Sequence, residues 1–249
     1  MPWETRNLGT ESFAVAASFL GNPDEATLRG ALDTTRRTHD RFFVQARCSP
    51  DSRTAQLLES NGFYCVETTL RPSLVLERSA ALDRFSTDPS QVLPRRYPLA
   101  DLELRCVTPQ TGMAGAIASI AAESFVDDRF HADHNCPAGV AGRRYRLWVG
   151  DLFRDESVAM DALVLRGEPV AFMASRGGDL LLAGFGRRHA SSGLGEFFWL
   201  SVLDRLRAGG VMRVTTRISV SNVAVLNLYA RLNFKLRDPE MTFHLWGAG

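Results

Sequence analysis

The sequence predicts a mixed α/β fold: a central mixed sheet with flanking helices, preceded by a degenerate N-terminal half-domain of similar strand–helix–strand plan. Three observations carry this. Strand-like and helix-like stretches alternate along the 249 residues, hairpin signals cluster between residues 158 and 185, and the first half echoes the last third. A hydrophobic fraction of 45% beside 23% charged residues supplies the apolar material such a core needs.

Residues 13–20 read as a strand, and Asn22-Pro23-Asp24 starts a helix. Residues 41–47 read as a buried strand. Ser49-Pro50 then offers an N-cap with proline at the first helical position, and Asn61-Gly62 stops that helix. A strand follows over 63–70, with another reaching Leu76. Between residues 78 and 98 the composition shifts to Ser, Asp, Arg and Pro, which marks a linker and sets the expected units at 1–95 and 96–249. Beyond it lie a strand at 102–107, an Ala-rich helix at 111–124, a polar loop at 127–137 and a helix at 138–153. Strands at 158–165, 170–175 and 180–185 are joined by turns at Gly167-Glu168-Pro169 and Gly177-Gly178. A glycine-containing loop at 187–195 opens a helix that ends at Gly209-Gly210. A strand at 211–218, a helix at 221–232 and a strand at 241–246 complete the chain.

Residues 42–70 and 212–245 share one plan of strand, helix and strand. Aligning Phe63 with Phe234 sets Leu58 opposite Tyr229 and Asp51 opposite Asn222. In this alignment the N-terminal copy lacks the polar residues of its counterpart and reads as scaffold. The active site is therefore expected wholly within residues 100–249.

A net charge of +1 argues against nucleic-acid binding by bulk electrostatics. Lys235 is the only lysine among 29 basic residues, an imbalance that GC-rich bacterial coding predicts. No run approaches the ~18 apolar residues of a membrane span, and the first residues lack a basic stretch followed by an apolar one. The four cysteines form no C-x-x-C and are too sparse for a disulfide framework, so the expected compartment is the cytoplasm.

Two motifs bear on chemistry. Ala190-Ser191-Ser192-Gly193-Leu194-Gly195 lies between a strand and a helix, where unpaired amides and a partial positive charge favour phosphate. Glycines there let the backbone close on a pyrophosphate. By itself the loop also reads as a plain turn, and it fits neither a P-loop nor a dinucleotide fingerprint. The second motif is Asn222-x-x-Val225-x-x-Leu228-Tyr229-x-Arg231-Leu232-Asn233-Phe234. Asn222 sits at the helix start, Tyr229 two turns on along the same face, and Asn233 takes the helix-ending position usual for glycine. In isolation Tyr229 reads as a core residue with its hydroxyl at the rim.

Together these motifs resemble the GNAT superfamily of acyl-CoA N-acyltransferases, whose pattern is [Gln/Arg]-x-x-Gly-x-[Gly/Ala] followed by Asn-x-x-Ala-x-x-Leu-Tyr-x-x-x-Gly-Phe. Ala190, Val225 and Asn233 depart from it, and Arg187 or Arg188 is placed to replace the missing loop side chain. More closely the chain resembles the TDP-fucosamine acetyltransferase family, through segments such as Trp3 to Gly9 and Ala122 to Pro137. The resemblance implies acetyl-CoA as co-substrate, held by Leu182, Ala183, Phe185, Arg188, Ser191, Ser192, Gly193, Leu194, Gly195, Asn222, Leu228 and Arg231. It implies Tyr229 as the acid that protonates the leaving thiolate. An unperturbed tyrosine near ~10 against a thiol near ~8.5 leaves a small uphill transfer. A backbone N–H of the 181–185 strand would stabilise the oxyanion.

The same resemblance makes the 123–136 loop the acceptor-amine site, with Asp127, Asp128, Arg129 and His131 binding substrate and His134 or a carboxylate as base. The loop also reads as ordinary solvated surface. His131, Asp133, His134 and Cys136 are metal-competent types, but crowding within six residues lacks a zinc spacing, so no metal is expected. The leading function is acetyl transfer from acetyl-CoA to the amine of an amino sugar, one linked to a nucleotide. An acyltransferase for another small amine and a non-catalytic acyl-CoA-binding protein are the rivals, and a homodimer stays open. Neither a nucleic acid nor a membrane is expected as partner.

Overall fold

A computed structural model describes residues 1–125 and 128–247. The first half runs α1 (Pro2–Leu8), β1 (Glu11–Ala14), α2 (Ala17–Leu20), α3 (Glu25–Thr38), β2 (Phe42–Cys48), α4 (Ser52–Ser60), β3 (Tyr64–Leu70), β4 (Ser73–Val75) and α5 (Ala80–Thr87). Then come β5 (Leu102–Cys106), α6 (Ala114–Ser124), α7 (Val140–Leu152), β6 (Ala159–Leu165), β7 (Glu168–Arg176) and β8 (Asp179–Phe185). The chain finishes with α8 (Gly195–Ala208), β9 (Arg213–Thr215), β10 (Ile218–Ser219), α9 (Val223–Arg231) and β11 (Glu240–Gly247).

Four local readings change. The single strand expected over 211–218 divides into β9 in one sheet and β10 in the other. The strand expected over 13–20 stops at Ala14, and Ala17–Leu20 coils into one turn whose only buried side chain is Leu20. The helix expected at Ser49-Pro50 opens later, because the Asp51 carboxylate caps the amides of Arg53 and Thr54 at 3.1 and 2.9 Å. The 78–98 stretch is not merely linker. Ser79 caps α5, whose Leu82 and Phe85 join the core beside α8.

The strands divide between two sheets, ordered β1-β2-β11-β3-β10 and β4-β9-β8-β7-β6-β5. The six-stranded sheet has apolar layers on both faces. One packs against α5, α8 and α9 through Phe198, Leu203 and Leu228, the other against α6 and α7 through Ile117, Val149 and Phe172. The five-stranded sheet is covered on one face by α3 and α4, through Leu28, Leu32 and Leu58. Its other face meets α1 and the 128–140 segment around Phe43 and Phe130.

The internal echo is a structural repeat. Asp51 caps α4 and Asn222 caps α9, the latter taking the amide of Val225 at 3.2 Å. Both helices end alike: the amide of Phe63 bonds the carbonyl of Leu58 at 3.1 Å, and that of Phe234 bonds Tyr229 at 2.9 Å. Gly62 and Asn233 hold the left-handed conformation these stops require, at φ 87° and 63°.

Each half lends its last strand to the other. β11 lies between β2 and β3, antiparallel to both, in a ladder from Met241↔Cys48 to Gly247↔Phe42 on the β2 side. Reciprocally, β4 pairs with β9 on one side and meets Lys235 on the other, through amide–carbonyl bonds of 3.0 and 2.8 Å between Ser73 and Lys235.

This exchange predicts that the halves do not fold separately. A chain beginning at residue 96 would leave β11 with neither neighbour, exposing Phe243 and Leu245 along two bare edges. Such a fragment should lack a cooperative thermal transition by circular dichroism and regain one when mixed with residues 1–95. A sharp transition for the fragment alone would contradict the exchange.

Candidate active site

The two halves differ at one joint. In the five-stranded sheet the parallel strands β1 and β2 are zipped by four successive pairs, from Glu11↔Phe42 to Ala14↔Gln45. In the six-stranded sheet the equivalent parallel pair, β8 and β9, meets at Asp179↔Thr215 alone. There the Thr215 amide bonds the carbonyl of Gly178 at 2.9 Å, and the Thr216 hydroxyl donates to the carbonyl of Leu180, also at 2.9 Å. Past that point the chain leaves β8. The Thr216 amide turns to the carbonyl of Pro72 at 3.1 Å, and β10 joins β3 in the other sheet. The outer edge of β8 from Leu181 onward is left facing a cleft.

This cleft encloses about 210 Å³. Leu180 to Ala183 of β8 form one wall, and Thr216 to Ser219 with Asn222, Val225 and Tyr229 form the other. Ser124, Phe125, Asp128, Arg129, Tyr145 and Trp148 close one end. Phe125 and Tyr145 stack with centroids 4.1 Å apart and planes 13° apart, and Trp148 extends that aromatic wall. Tyr229 is buried between Trp199 and Phe234, and burial pushes its hydroxyl up to about 12. It therefore stays a hydrogen-bond donor at neutral pH.

Of the residues expected to bind coenzyme, Leu182, Ala183 and Asn222 line the cleft, with Tyr229. Phe185 ends β8 and packs on Phe198 and Trp199. Arg188, Ser191, Ser192, Gly193, Leu194 and Gly195 form the adjoining loop into α8, whose first-turn amides have no intrahelical acceptor. Leu194 and Leu228 are buried in the core, so their side chains are unavailable to a ligand. Arg231 pairs with Glu196 at 3.4 Å, which ties α9 to the start of α8. Arg96 from between the halves donates to the carbonyl of Ser192 at 2.5 Å, and Pro94 abuts Gly193.

Of the acceptor candidates, Asp128 and Arg129 line the cleft. Asp127 lies outside the described residues. His131 pairs with Asp128 and stacks 6.4 Å from Tyr145. His134 is exposed, sits over Tyr64 at 5.8 Å, and does not line the cleft. Among the described residues no group of three or more His, Cys, Asp or Glu side chains is arranged to hold a metal.

Two lining residues fall where only scaffold was expected. Glu67 and Thr69 reach the cleft from β3 of the first half, so the cavity draws on both halves. Burial raises the Glu67 carboxyl above its ordinary range, against the opposing pull of Arg129. Their alternate spacing on β3 was a readable sign of a shared face, but only β10, placed against β3 by the sheet crossing, gives that face a cleft.

The acceptor loop is anchored by Asp133. Its carboxylate accepts from Tyr64 at 2.7 Å, His244 Nδ1 at 2.8 Å, Trp246 Nε1 at 2.7 Å and the Asn135 amide at 2.9 Å. Burial opposes ionisation here, but the bonds from His244, Trp246 and Tyr64 outweigh it and hold the carboxyl at about 2. Burial lowers His244, so it is neutral at pH 7. Glu4 of α1 adds a second anchor by taking Arg129 at 3.2 Å and Arg144 at 3.1 Å.

No family model matches the chain, and no curated protein matches it. Solved structures do. A GCN5-related N-acetyltransferase from Sphaerobacter thermophilus superposes with a TM-score of 0.60 at 16% identity, over 94% of this chain and 70% of that one. A tandem GNAT protein from the clavulanic acid biosynthesis pathway gives 0.58 at 16% identity, over 90% and 70%. A GCN5-related glucosamine N-acetyltransferase region of a fungal multi-domain β-N-acetylglucosaminidase gives 0.56 at 13%, over 93% of this chain and 29% of that one. The fold is thus that of the GCN5-related N-acetyltransferases, arranged as two halves.

The Asp133 anchor yields a stability prediction. Asp133→Asn turns an amide donor toward groups that already donate, at a cost of about 1–3 kcal/mol. Because the folded carboxyl is held below its unfolded value, its contribution is complete above about pH 4 and fades as pH falls toward about 2. Urea titrations from pH 7 to 2 should show the gap between wild type and variant shrinking over that interval. A gap independent of pH would show that the bonds to Asp133 do not depend on its charge.

Proposed function

We propose that the protein is an acetyl-CoA-dependent N-acetyltransferase acting on the amine of an amino sugar. The observation that carries this is the parted β8–β9 joint, with an amide-rich helix start beside it and a buried tyrosine within it. The free edge of β8 offers backbone groups to the amides of a pantetheine arm, and the loop from Ser191 to Gly195 offers amides to a pyrophosphate. Leu182, Ala183 and Asn222 flank the arm. A backbone N–H of β8 would meet the oxyanion formed when the amine attacks the thioester.

Tyr229 would donate to the departing thiolate. A hydroxyl near 12 against a thiol near ~8.5 makes complete transfer uphill by about 5 kcal/mol in bulk terms. The burial that raises the tyrosine also raises a thiolate beside it, which closes much of the gap. Support for a sugar comes from the Phe125–Tyr145–Trp148 wall, against which a pyranose face can lie, with Glu67 and Asp128 to receive hydroxyls and an ammonium group. The glucosamine N-acetyltransferase region among the structural neighbours points the same way. A nucleotide on the sugar is the finer reading, supported by the sequence likeness to the TDP-fucosamine acetyltransferases.

Acetyl-CoA would be incubated with TDP-amino sugars, glucosamine, aminoglycosides, amino acids and peptides, and the products read by gain of one acetyl mass. The amino sugars should be acetylated, and peptides or amino acids acetylated in their place would overturn the acceptor assignment. Tyr229→Phe should lower kcat by about 10² or more, with acetyl-CoA affinity and melting temperature unchanged. Gly195→Val has room in the fold, its added Cβ meeting Leu228 at 3.8 Å. Its effect should therefore fall on acetyl-CoA binding, weakened by about tenfold or more in calorimetry. Equal affinities would remove this loop from the coenzyme site.

A further inference from the structure

We infer that Glu67, supplied by the half without a cleft of its own, is the base that takes the proton from the acceptor ammonium. The inference rests on the acetyltransferase reading and names a residue of its site. Glu67 and Tyr229 come from opposite halves of the chain and line the same 210 Å³ cleft. Tyr229 approaches from α9 and Glu67 from β3, which β10 holds in register through Ile218↔Leu70 and Ser219↔Thr69.

The surroundings suit a base. The ionisable groups facing Glu67 are Asp128 and Arg129 from the acceptor loop, Arg47 from β2, Arg217 from the β9–β10 turn, and Tyr145 and Tyr229. Each guanidinium is engaged elsewhere: Arg129 with Glu4 at 3.2 Å, Arg47 with Glu240 at 3.9 Å, and Arg217 with the same Glu240. Among the described residues no cation closes an ion pair on Glu67, and its side-chain hydrogen bond is to the neutral Ser219, so an incoming ammonium group meets a half-buried carboxylate that no cation neutralises. Burial lifts that carboxyl toward neutrality, which is the direction a base for an amine requires. His134 is exposed, sits against the ring of Tyr64 and does not line the cleft.

The protons balance as follows. Glu67 takes one proton from R–NH3⁺ and later releases it to solvent. The neutral nitrogen attacks the thioester carbon, forming the C–N bond. As the C–S bond breaks, the second proton leaves nitrogen and the thiolate is protonated through the Tyr229 hydroxyl, giving R–NH–acetyl and free coenzyme A thiol.

The test compares wild type, Glu67→Gln and Glu67→Asp, with the fastest acceptor from the amine panel as probe. Glu67→Gln should keep its melting temperature and its acetyl-CoA affinity. It should lose about 10²–10³ in kcat, and its kcat/KM should climb with pH toward the pKa of the amine itself. Glu67→Asp should recover part of the rate and restore the carboxylate limb of the profile. A Gln variant with wild-type kcat and an unchanged pH profile, under conditions where chemistry limits the rate, would overturn the role of Glu67 and leave the acetyltransferase reading standing. A wild-type protein that neither binds acetyl-CoA nor acetylates any amine in the panel would overturn both.

Discussion

The architecture turns on a crossing. Two neighbouring strand pairs change sheets together: β3 to β4 through Arg71-Pro72, and β9 to β10 through Thr216-Arg217. Pro72 has no amide to donate, so the ladder cannot run straight through it, but its carbonyl still receives the Thr216 amide. The result joins the sheets along one antiparallel seam and bends them apart. Because β9 must follow that seam, it cannot stay with β8, and the parallel pair opens after one rung. The cleft is thus a by-product of how the sheets are joined rather than a hole cut into a finished core.

The seam also explains why a half with a closed joint still bears on the cleft. Zipping β1 to β2 removes any slot from the five-stranded sheet, yet the same sheet presents the β3 face carrying Glu67 and Thr69. It further holds the acceptor loop, since Tyr64, His244 and Trp246 all converge on Asp133. Four donors on one carboxylate fix that loop far more narrowly than its exposed sequence suggests. One half has given up its own slot and supplies a wall and a mooring for the other.

Much of the fold was legible, and the reasons are local. Caps and stops such as Asp24, Gly62 and Asn233 act within a few residues, and hairpin turns at Gly167 and Gly177 sit at φ 88° and 54° where only flexible residues rest easily. The Asp51–Asn222 and Leu58–Tyr229 correspondences were likewise readable, since they repeat one helix with one cap and one stop. What escaped was partnership at long range. Nothing in the local pattern of β11 announces that it belongs with β2 and β3, nor in that of β10 that it belongs with β3, and without the β10 pairing Glu67 looks like an exposed strand residue. His134, expected as base together with a carboxylate of the same loop, is exposed there and does not line the cleft.

The exchange of final strands has a consequence for synthesis. As the nascent chain leaves the ribosome, β2 and β3 emerge early, but the slot between them stays vacant until β11 has been translated. Until then the first half carries two unsatisfied strand edges beside that slot and the apolar faces of Phe43 and Val44, and such edges can recruit other chains. Native pairing of this kind is long-range and therefore slow to close. The five-stranded sheet therefore stays incomplete through most of the chain's own translation.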